Sequence, residues 1–400
     1  MRILLVSLFL PQEKAYHAGG RYVFEVIRHL SKQHEIYLAT RLEEKELPDL
    51  ESLRPFCREI YPYTYRTEGR TAGRTAGRTA GKRGLLDTLR LVSNYLGFSL
   101  YADRLVRDGA FDLVQVEWVE AAVLMKKREI PMVLDAHDVI TKPAERSMNA
   151  AAGIGNAIGR LRYFFIRTLE SLIAKKFNTV FTRSDNDRDY LLSMVPGLNI
   201  KVIPHPAGLD ITERQIARQQ NAILFLASYK YRQVNVDAAL YFYREVLPLI
   251  RKIVPDAKFI IAGYGPPEEL TNLQGKDPGV DVPGFVGDID ECYKRASVFV
   301  APILVGGGII VKVLDAMAAG TPVVTTTYGN EGIKAKPGID LLVADGPVAF
   351  SLAVVRILRE QGLAENLSQN GREFVRQHYS SDAVMEKIET AYGEIVNRES

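Results

Sequence analysis

With 400 residues, 47% of them hydrophobic and 25% charged, and a formal net charge of +3, the chain can build two or three domains with large cores and is too nearly neutral for a nucleic-acid-binding reading. Its two cysteines, Cys57 and Cys292, lie far apart in sequence, which excludes a thiolate metal motif and a disulfide framework. No stretch reaches the ~20 uncharged residues of a membrane span. The N-terminal apolar run is followed by Pro11, Gln12, Glu13 and Lys14 where a signal peptide would carry a small-residue cleavage site. The expected setting is the cytoplasm, with at most peripheral docking on the inner face of a membrane.

In chain order, short apolar runs alternate with helical patterns. RILLVSL is followed by GGRYVFEVIRHLSKQ and then EIYLAT; LVQVEWV, MVLDAHD, TVFTRS and KVIPHP come later. Such alternation predicts βαβ units, and near-continuous apolar strands predict parallel sheets covered on both faces. A polar stretch, ITERQIARQQN at 211–221, interrupts the rhythm before AILFLAS, KFIIAGYG, SVFVAPI, TPVVTTT and DLLVA restart it. The fold class read from this pattern is α/β, with two doubly wound Rossmann-like domains facing each other: residues 1–205, a linker at 206–221, and residues 222–380. The last segment, 381–400, is helical with no strand after it and is expected to pack back on the first domain. Ligands of such sheets sit at the carboxyl ends of the strands.

Two segments stand apart. An insertion at about 66–84 carries GRTAGRTAGRTAG (69–81), Gly-rich with no apolar periodicity, and is expected to be a mobile basic loop. The segment GRLRYFFIRTLESLIAKKF (159–177) is a basic amphipathic helix pattern. It suits an anionic membrane surface or, through the same apolar stripe, the cover of a sheet; the second reading is preferred.

The chemistry concentrates in APILVGGGIIVKVLDAMAAGTPVVTT, residues 301–326. Gly306, Gly307 and Gly308 follow a strand and precede a helix, and a glycine turn opening a helix presents N–H groups and the positive end of the dipole to an anion. Lys312 adds a full charge in the first turns. Asp315 stands on a neighbouring face, where it can meet a ribose diol or simply pair with Lys312 on the surface. A diphosphate leaving group gains charge as its bond to a sugar breaks, and such a site would stabilise it without a metal. His137 ends MVLDAHD at a strand terminus, with Asp135 and Asp138 beside it to fix its tautomer.

SVFVAPILVGGGIIVKVLDAMAAGTPVVTTTYGNEGI resembles the signature of retaining glycosyltransferases of family 4 (group 1), which have the two-domain GT-B fold. HAGGRYVFEVIRHLS (17–31), VIPHPAGLD (202–210), NVDAALYFYREVLPLI (235–250), IIAGYGPP (260–267) and PGFVGDIDECYKRASVFVAP (283–302) extend the resemblance over nearly the whole chain, in family order. It implies transfer of a sugar from a nucleotide-diphosphate sugar to a glycan or lipid-linked acceptor of the cell envelope, with no cofactor and no metal. Lys312 would bind the diphosphate, Asp315 would replace the ribose-binding glutamate, and His137 would lie near the reacting sugar. Gly19 and Gly20, in the first loop, would let the backbone approach the substrates. Gly263 and Gly265 would line the nucleotide pocket, Phe285 and Val286 would contact the base, and Glu331 and Gly332 would lie near the donor. Lys230 and Arg232 are further phosphate candidates.

Three positions depart from the family pattern. The first of its two glutamates falls on Gly307, the second on Asp315, and Ile310 stands where an arginine is common. These departures keep two other readings in view: a nucleotide-sugar epimerase on the same fold, and a catalytically weakened partner protein that binds nucleotide-sugar.

Overall fold

A computed structural model of the chain describes all residues except 14–17, 67–84, 151–153, 213, 215, 231, 305–308 and 400. The basic insertion therefore lies outside the described residues apart from Arg66, whose Nε donates to Glu44 at 2.7 Å. The chain divides into two compact units, Met1–Pro204 with Met385–Ser400, and His205–Val384.

The first unit is built on a seven-stranded parallel sheet. Its strands are β1 (Arg2–Ser7), β2 (Glu35–Glu43), β3 (Glu59–Tyr65), β4 (Leu113–Glu117), β5 (Met132–Asp135), β6 (Thr179–Thr182) and β7 (Ile200–Val202), in the order β3-β2-β1-β4-β5-β6-β7. The inner strands are apolar on both faces because helices cover both; Ile3, Leu4, Leu5 and Val6 are fully buried. Strand order reverses between β1 and β4, the place where open α/β sheets open a crevice at their strand ends.

The second unit repeats the plan with six strands: β8 (Ala222–Leu226), β9 (Lys258–Ala262), β10 (Val280–Gly284), β11 (Val298–Ala301), β12 (Val323–Thr325) and β13 (Leu342–Val343), in the order β10-β9-β8-β11-β12-β13. All paired strands are parallel, and the reversal falls between β8 and β11. The polar stretch 206–221 is not a free linker. The Gly208 amide donates to Asp315 Oδ1 at 2.7 Å, Arg214 Nη1 reaches Asp288 at 2.6 Å, and the Gln219 amide donates to the Arg295 carbonyl at 2.7 Å, which fastens the segment along the second unit.

The helix Ser381–Glu399 supplies all but its first turn, from Met385 on, to the first unit. Lys201 Nζ meets Glu394 at 2.5 Å, and the buried Tyr392 hydroxyl donates to Gln115 Oε1 at 2.6 Å.

Candidate functional site

In the first unit three neighbouring strands run into charge at their carboxyl ends. Glu117 closes β4, Asp135 closes β5, and Arg183 follows β6; all three are buried. Buried charges persist only when paired, and here each has a partner, although Arg183 Nε is buried with no hydrogen bond among the described residues. Arg183 Nη2 donates to Asp135 Oδ1 at 2.5 Å and Arg183 Nη1 to the Ile203 carbonyl at 3.0 Å. The Tyr22 hydroxyl donates to Asp135 Oδ2 at 3.2 Å, and the guanidinium lies 4.2 Å from the centre of the Tyr22 ring.

His137 sits in this network with its side chain only 4% exposed. Its Nε2 is 2.7 Å from Glu117 Oε2, while Arg183 Nη2 is 3.3 Å from its Nδ1. The same Arg183 Nη2 is 3.4 Å from Nε2, so the guanidinium faces both ring nitrogens, and it is the Glu117 carboxylate that can accept a proton from Nε2. The sequence reading gave the tautomer to Asp135 and Asp138. Instead Glu117 fixes it, because parallel pairing of β4 with β5 brings Glu117 level with Asp135; Asp138 is exposed. Glu117 is held in turn by Gln115 Nε2 at 2.6 Å, which completes a chain from Tyr392 through Gln115 and Glu117 to His137. Burial pushes the Glu117 carboxyl up to about 7, against the pull of Arg183 and Gln115. It raises Asp135 too, with Arg183 pulling the other way.

The imidazole face is also engaged. Trp118 stacks on it with ring centres 4.1 Å apart and planes 9° from parallel, and the edge of Phe9 meets Trp118 at 4.9 Å. Trp118 has φ +71°, a conformation that side-chain-bearing residues rarely adopt, directly after the end of β4. Glu117, Asp135 and His137 each place a donor atom within 4.8 Å of the others, a grouping able to hold a cation. The chain supplies its own, since Arg183 lies against two of the three. Gly19 and Gly20 fall in the first turn of the helix Ala18–Leu30, not in a loop, because the helical pattern of RYVFEVIRHL extends back through them.

In the second unit, β11 leads toward the helix Val311–Ala318. Gly306, Gly307 and Gly308 lie outside the described residues. The helix N-cap, Ile310, makes no side-chain capping bond. Lys312 Nζ donates to Asn235 Oδ1 at 2.7 Å and lies 5.2 Å from the centre of the Phe225 ring. Asn235 is oriented by its own amide, which donates to the Ser228 carbonyl at 2.7 Å. Desolvation, with a smaller push from Arg232, lowers Lys312 to about 8. The other cation of that loop, Lys230, goes elsewhere: its Nζ is 3.2 Å from the Tyr264 hydroxyl. Of these two further phosphate candidates, Arg232 is the one whose charge Lys312 feels.

Gly263, just past β9, has φ +133°, and a Cβ there would stand 1.7 Å from the Ala227 carbonyl oxygen, so the two strand ends approach as closely as glycine alone permits. Gly265, at φ +66°, would set a Cβ 2.7 Å from that of Lys230. Phe285 is 75% exposed beyond β10, next to half-buried Val286. Glu331 and Gly332 end a short helix, Thr327–Glu331, capped by Thr326. Asp315 is not paired with Lys312; its Oδ1 accepts the Gly208 amide.

Residues 19–210 match the family model of glycosyltransferase family 4, and residues 220–360 match that of group 1 glycosyl transferases. The chain belongs to the group 1, family 4 glycosyltransferases. Among relatives of this glycosyltransferase chain, a phosphatidyl-myo-inositol mannosyltransferase of Mycobacterium leprae (strain TN) is 29% identical over 182 residues, 44% of this chain and 47% of that one. An uncharacterized 44.6 kDa protein in the cps region of Klebsiella pneumoniae is 28% identical over 161 residues, 38% of this chain and 42% of that one. The chain thus spans under half the length of these two relatives. Among solved structures, sucrose-phosphate synthase of Thermosynechococcus elongatus superposes over 100% of both chains with TM-score 0.69 at 17% identity. HepE of Anabaena in complex with UDP covers 98% of this chain and 100% of its own, with TM-score 0.63 at 12% identity. These likenesses establish the fold of two Rossmann-like domains, the GT-B class.

Sequence reasoning singled out Lys312 and His137 but not the groups that hold them. Glu117, Trp118 and Arg183 were reachable by the argument that chose His137, since a polar or aromatic residue at the end of an apolar strand faces the crevice; Asn235, in the helix Gln233–Tyr241, was not. Tyr392 carried no such signal, because its partner Gln115 lies 277 positions away.

Proposed function

We propose that the protein is a retaining hexosyltransferase-type enzyme that transfers a sugar from a nucleotide-diphosphate sugar to a glycan or lipid-linked glycan acceptor of the cell envelope. The observation that carries this reading is Lys312. It is a largely buried ammonium in the first turn of a helix without a side-chain cap, at the strand-order reversal, oriented by Asn235 and with Arg232 near enough to depress its pKa. Such a group is costly to keep unless an anion completes it, and helix N-termini are ready anion sites. HepE, which shares the fold, has been solved with UDP and with UDP-glucose. The name of the Mycobacterium leprae relative supports an acceptor on a lipid.

On this reading the second unit holds the donor and the first unit the acceptor, on the cytoplasmic side of a membrane. The bond between the anomeric carbon and the diphosphate oxygen breaks while the acceptor oxygen bonds to the same face of that carbon. The acceptor proton passes to the departing phosphate oxygen. Lys312, Arg232 and the helix N–H groups take up the charge that develops on the diphosphate, so no metal is required. His137, tied at both nitrogens, acts by position: it carries Trp118 on its face at the acceptor side.

The test is to follow nucleoside diphosphate release from a panel of nucleotide-hexoses with glycan and lipid-phosphate acceptors, beside calorimetric titration of each donor. Saturable donor binding that Lys312→Ala weakens, with acceptor-dependent release, supports the reading. No donor bound by the wild type, or equal binding by Lys312→Ala, refutes it. A second reading, a binding partner without turnover, is favoured by the occupied Asp315 carboxylate; tight donor binding with no release on any acceptor would select it.

A further inference from the structure

A helix that covers a sheet needs one apolar stripe. The helix Ile154–Ala174 has two. Its inner stripe, with Tyr163, Ile173 and Ala174 buried, meets the first unit. Its outer stripe does not: Leu161 is 74% exposed, Phe164 61%, Phe165 67% and Leu172 56%. With about 100° of turn per residue these four and Thr168 fall within an arc of about 100°. The preferred sequence reading, a helix whose apolar residues all face the sheet, accounts for the inner stripe only. Two exposed phenylalanines and two leucines on one helix form an apolar patch of the kind that marks an interaction surface.

The charges around the patch select its partner. Arg160 and Arg162 are both exposed and stand on opposite flanks of the outer stripe, and exposed Lys175 follows the helix on the same side. The one acidic residue of the helix, Glu170, points inward, where Oε1 accepts the Ile140 amide at 2.9 Å and Oε2 the Thr141 amide at 3.0 Å. Apolar in the middle, cationic at the rims and free of carboxylates is the pattern of a helix lying in the interface of a bilayer with anionic headgroups; the arginine stems extend along the acyl boundary while their heads reach phosphates. The turn beside the helix adds to it. Val123 is bonded to Lys176 through its carbonyl, and half-exposed Leu124 is followed by exposed Lys126 and Lys127. Among the described residues no helix is long and apolar enough to cross a membrane, so the contact is to a surface.

We propose that the outer face of the helix Ile154–Ala174 docks on an anionic lipid bilayer, with Leu161, Phe164, Phe165 and Leu172 inserted and Arg160 and Arg162 on the headgroup phosphates. The docking stands apart from the transfer reading, since its test needs neither donor nor acceptor.

The full chain is floated with vesicles of phosphatidylglycerol mixed with phosphatidylcholine and with vesicles of phosphatidylcholine alone. The expected result is binding to the mixed vesicles, at least tenfold less to the neutral ones, and at least a tenfold loss on the mixed vesicles for the double variant Phe164→Ser with Phe165→Ser. Arg160→Glu with Arg162→Glu should remove the preference for anionic lipid. Phe165→Trp, a conservative change at an exposed site, should give a blue shift of the new indole's emission on mixed vesicles only, which reports insertion even if the double variant fails to fold. The proposal is overturned if the wild type floats with neither vesicle. It is also overturned if the serine variant, folded by circular dichroism, floats as well as the wild type, because the attachment then lies elsewhere, as in the basic segment at 69–83. Concentration-dependent self-association that the serine variant abolishes, without flotation, would assign the patch to a second copy of the chain and overturn the proposal equally.

Discussion

The two sheets share a strand order and differ in what stands at their carboxyl ends. The first unit places mutually paired groups there: Arg183 answers Asp135, Glu117 answers His137, Gln115 answers Glu117, and Tyr392 answers Gln115. The second unit places glycines at φ +133° and +66°, an uncapped helix start, and a lysine whose pKa burial has lowered to about 8. At the first sheet end Asp135 and Glu117 find their partners within the chain; at the second, Lys312 donates, among the described residues, only to a neutral amide oxygen, that of Asn235. The same topology therefore carries two arrangements, and on the proposed function the second, whose lysine has no counter-charge beside it among the described residues, is the one a diphosphate would complete.

That contrast predicts opposite responses to removing a cation. Arg183→Met should leave Asp135 buried and uncompensated, costing about 3–5 kcal/mol of stability; denaturant melts of the two variants side by side would show Arg183→Met far below the wild type. Lys312→Ala should leave stability nearly unchanged and instead cost about 1.5–3 kcal/mol of nucleoside diphosphate affinity, roughly tenfold to a hundredfold, by calorimetry. If both variants lose stability alike, the distinction between a closed and an open strand end collapses.

Asn235→Ala should act in the same direction as Lys312→Ala but more weakly, about 0.5–1.5 kcal/mol of affinity, because it releases the ammonium without removing it. Two pH effects sharpen the comparison further. Lys312 is partly neutral above pH 8 in the free protein, and a bound diphosphate restores its charge. Binding above pH 8 should therefore take up protons, seen as a dependence of the binding heat on buffer ionisation enthalpy that Lys312→Ala abolishes. For Glu117 the folded-state value, about 7, lies above its ordinary 4.5, so its contribution is full below about pH 4.5 and lost as pH rises through about 7. Glu117→Gln is neutral throughout, and melting temperatures across that window should shift in the variant's favour as pH rises.

Much of the fold was legible because inner parallel strands are apolar on both faces and announce themselves as runs. One strand that no run announced is β3, EIYPYTY, an edge strand with alternating exposure and a proline at position 62. Edge strands tolerate proline because one of their ladders is unused, and half-exposed alternation reads as loop when apolar runs are the signal sought. β10, an edge of the second sheet that bears Pro283, was likewise announced by no run and was reached only through the resemblance. The candidate site divides the same way. Lys312 was visible because it follows a glycine turn that opens a helix, and His137 because it sits at the end of an apolar run, whereas the partners of His137 are fixed by strand order, which places Glu117 beside Asp135 and Arg183 beyond both. The outward stripe of Ile154–Ala174 was visible as apolar periodicity, but periodicity does not say which of two stripes the sheet takes.

The thread from Tyr392 to His137 has a consequence for the order in which the protein can be made. Domains emerging from a ribosome fold as units, the N-terminal one first. The first unit here is discontinuous, and its buried chain of hydrogen bonds ends on a residue near the end of the sequence. When residues 1–204 have emerged, Gln115 still lacks the hydroxyl that orients it, and Glu117 and His137 rest on a network open at its far end. That end closes only after all of His205–Val384 has been translated. The histidine of the first unit is thus set by a stretch of chain that is synthesised after the whole of the second unit.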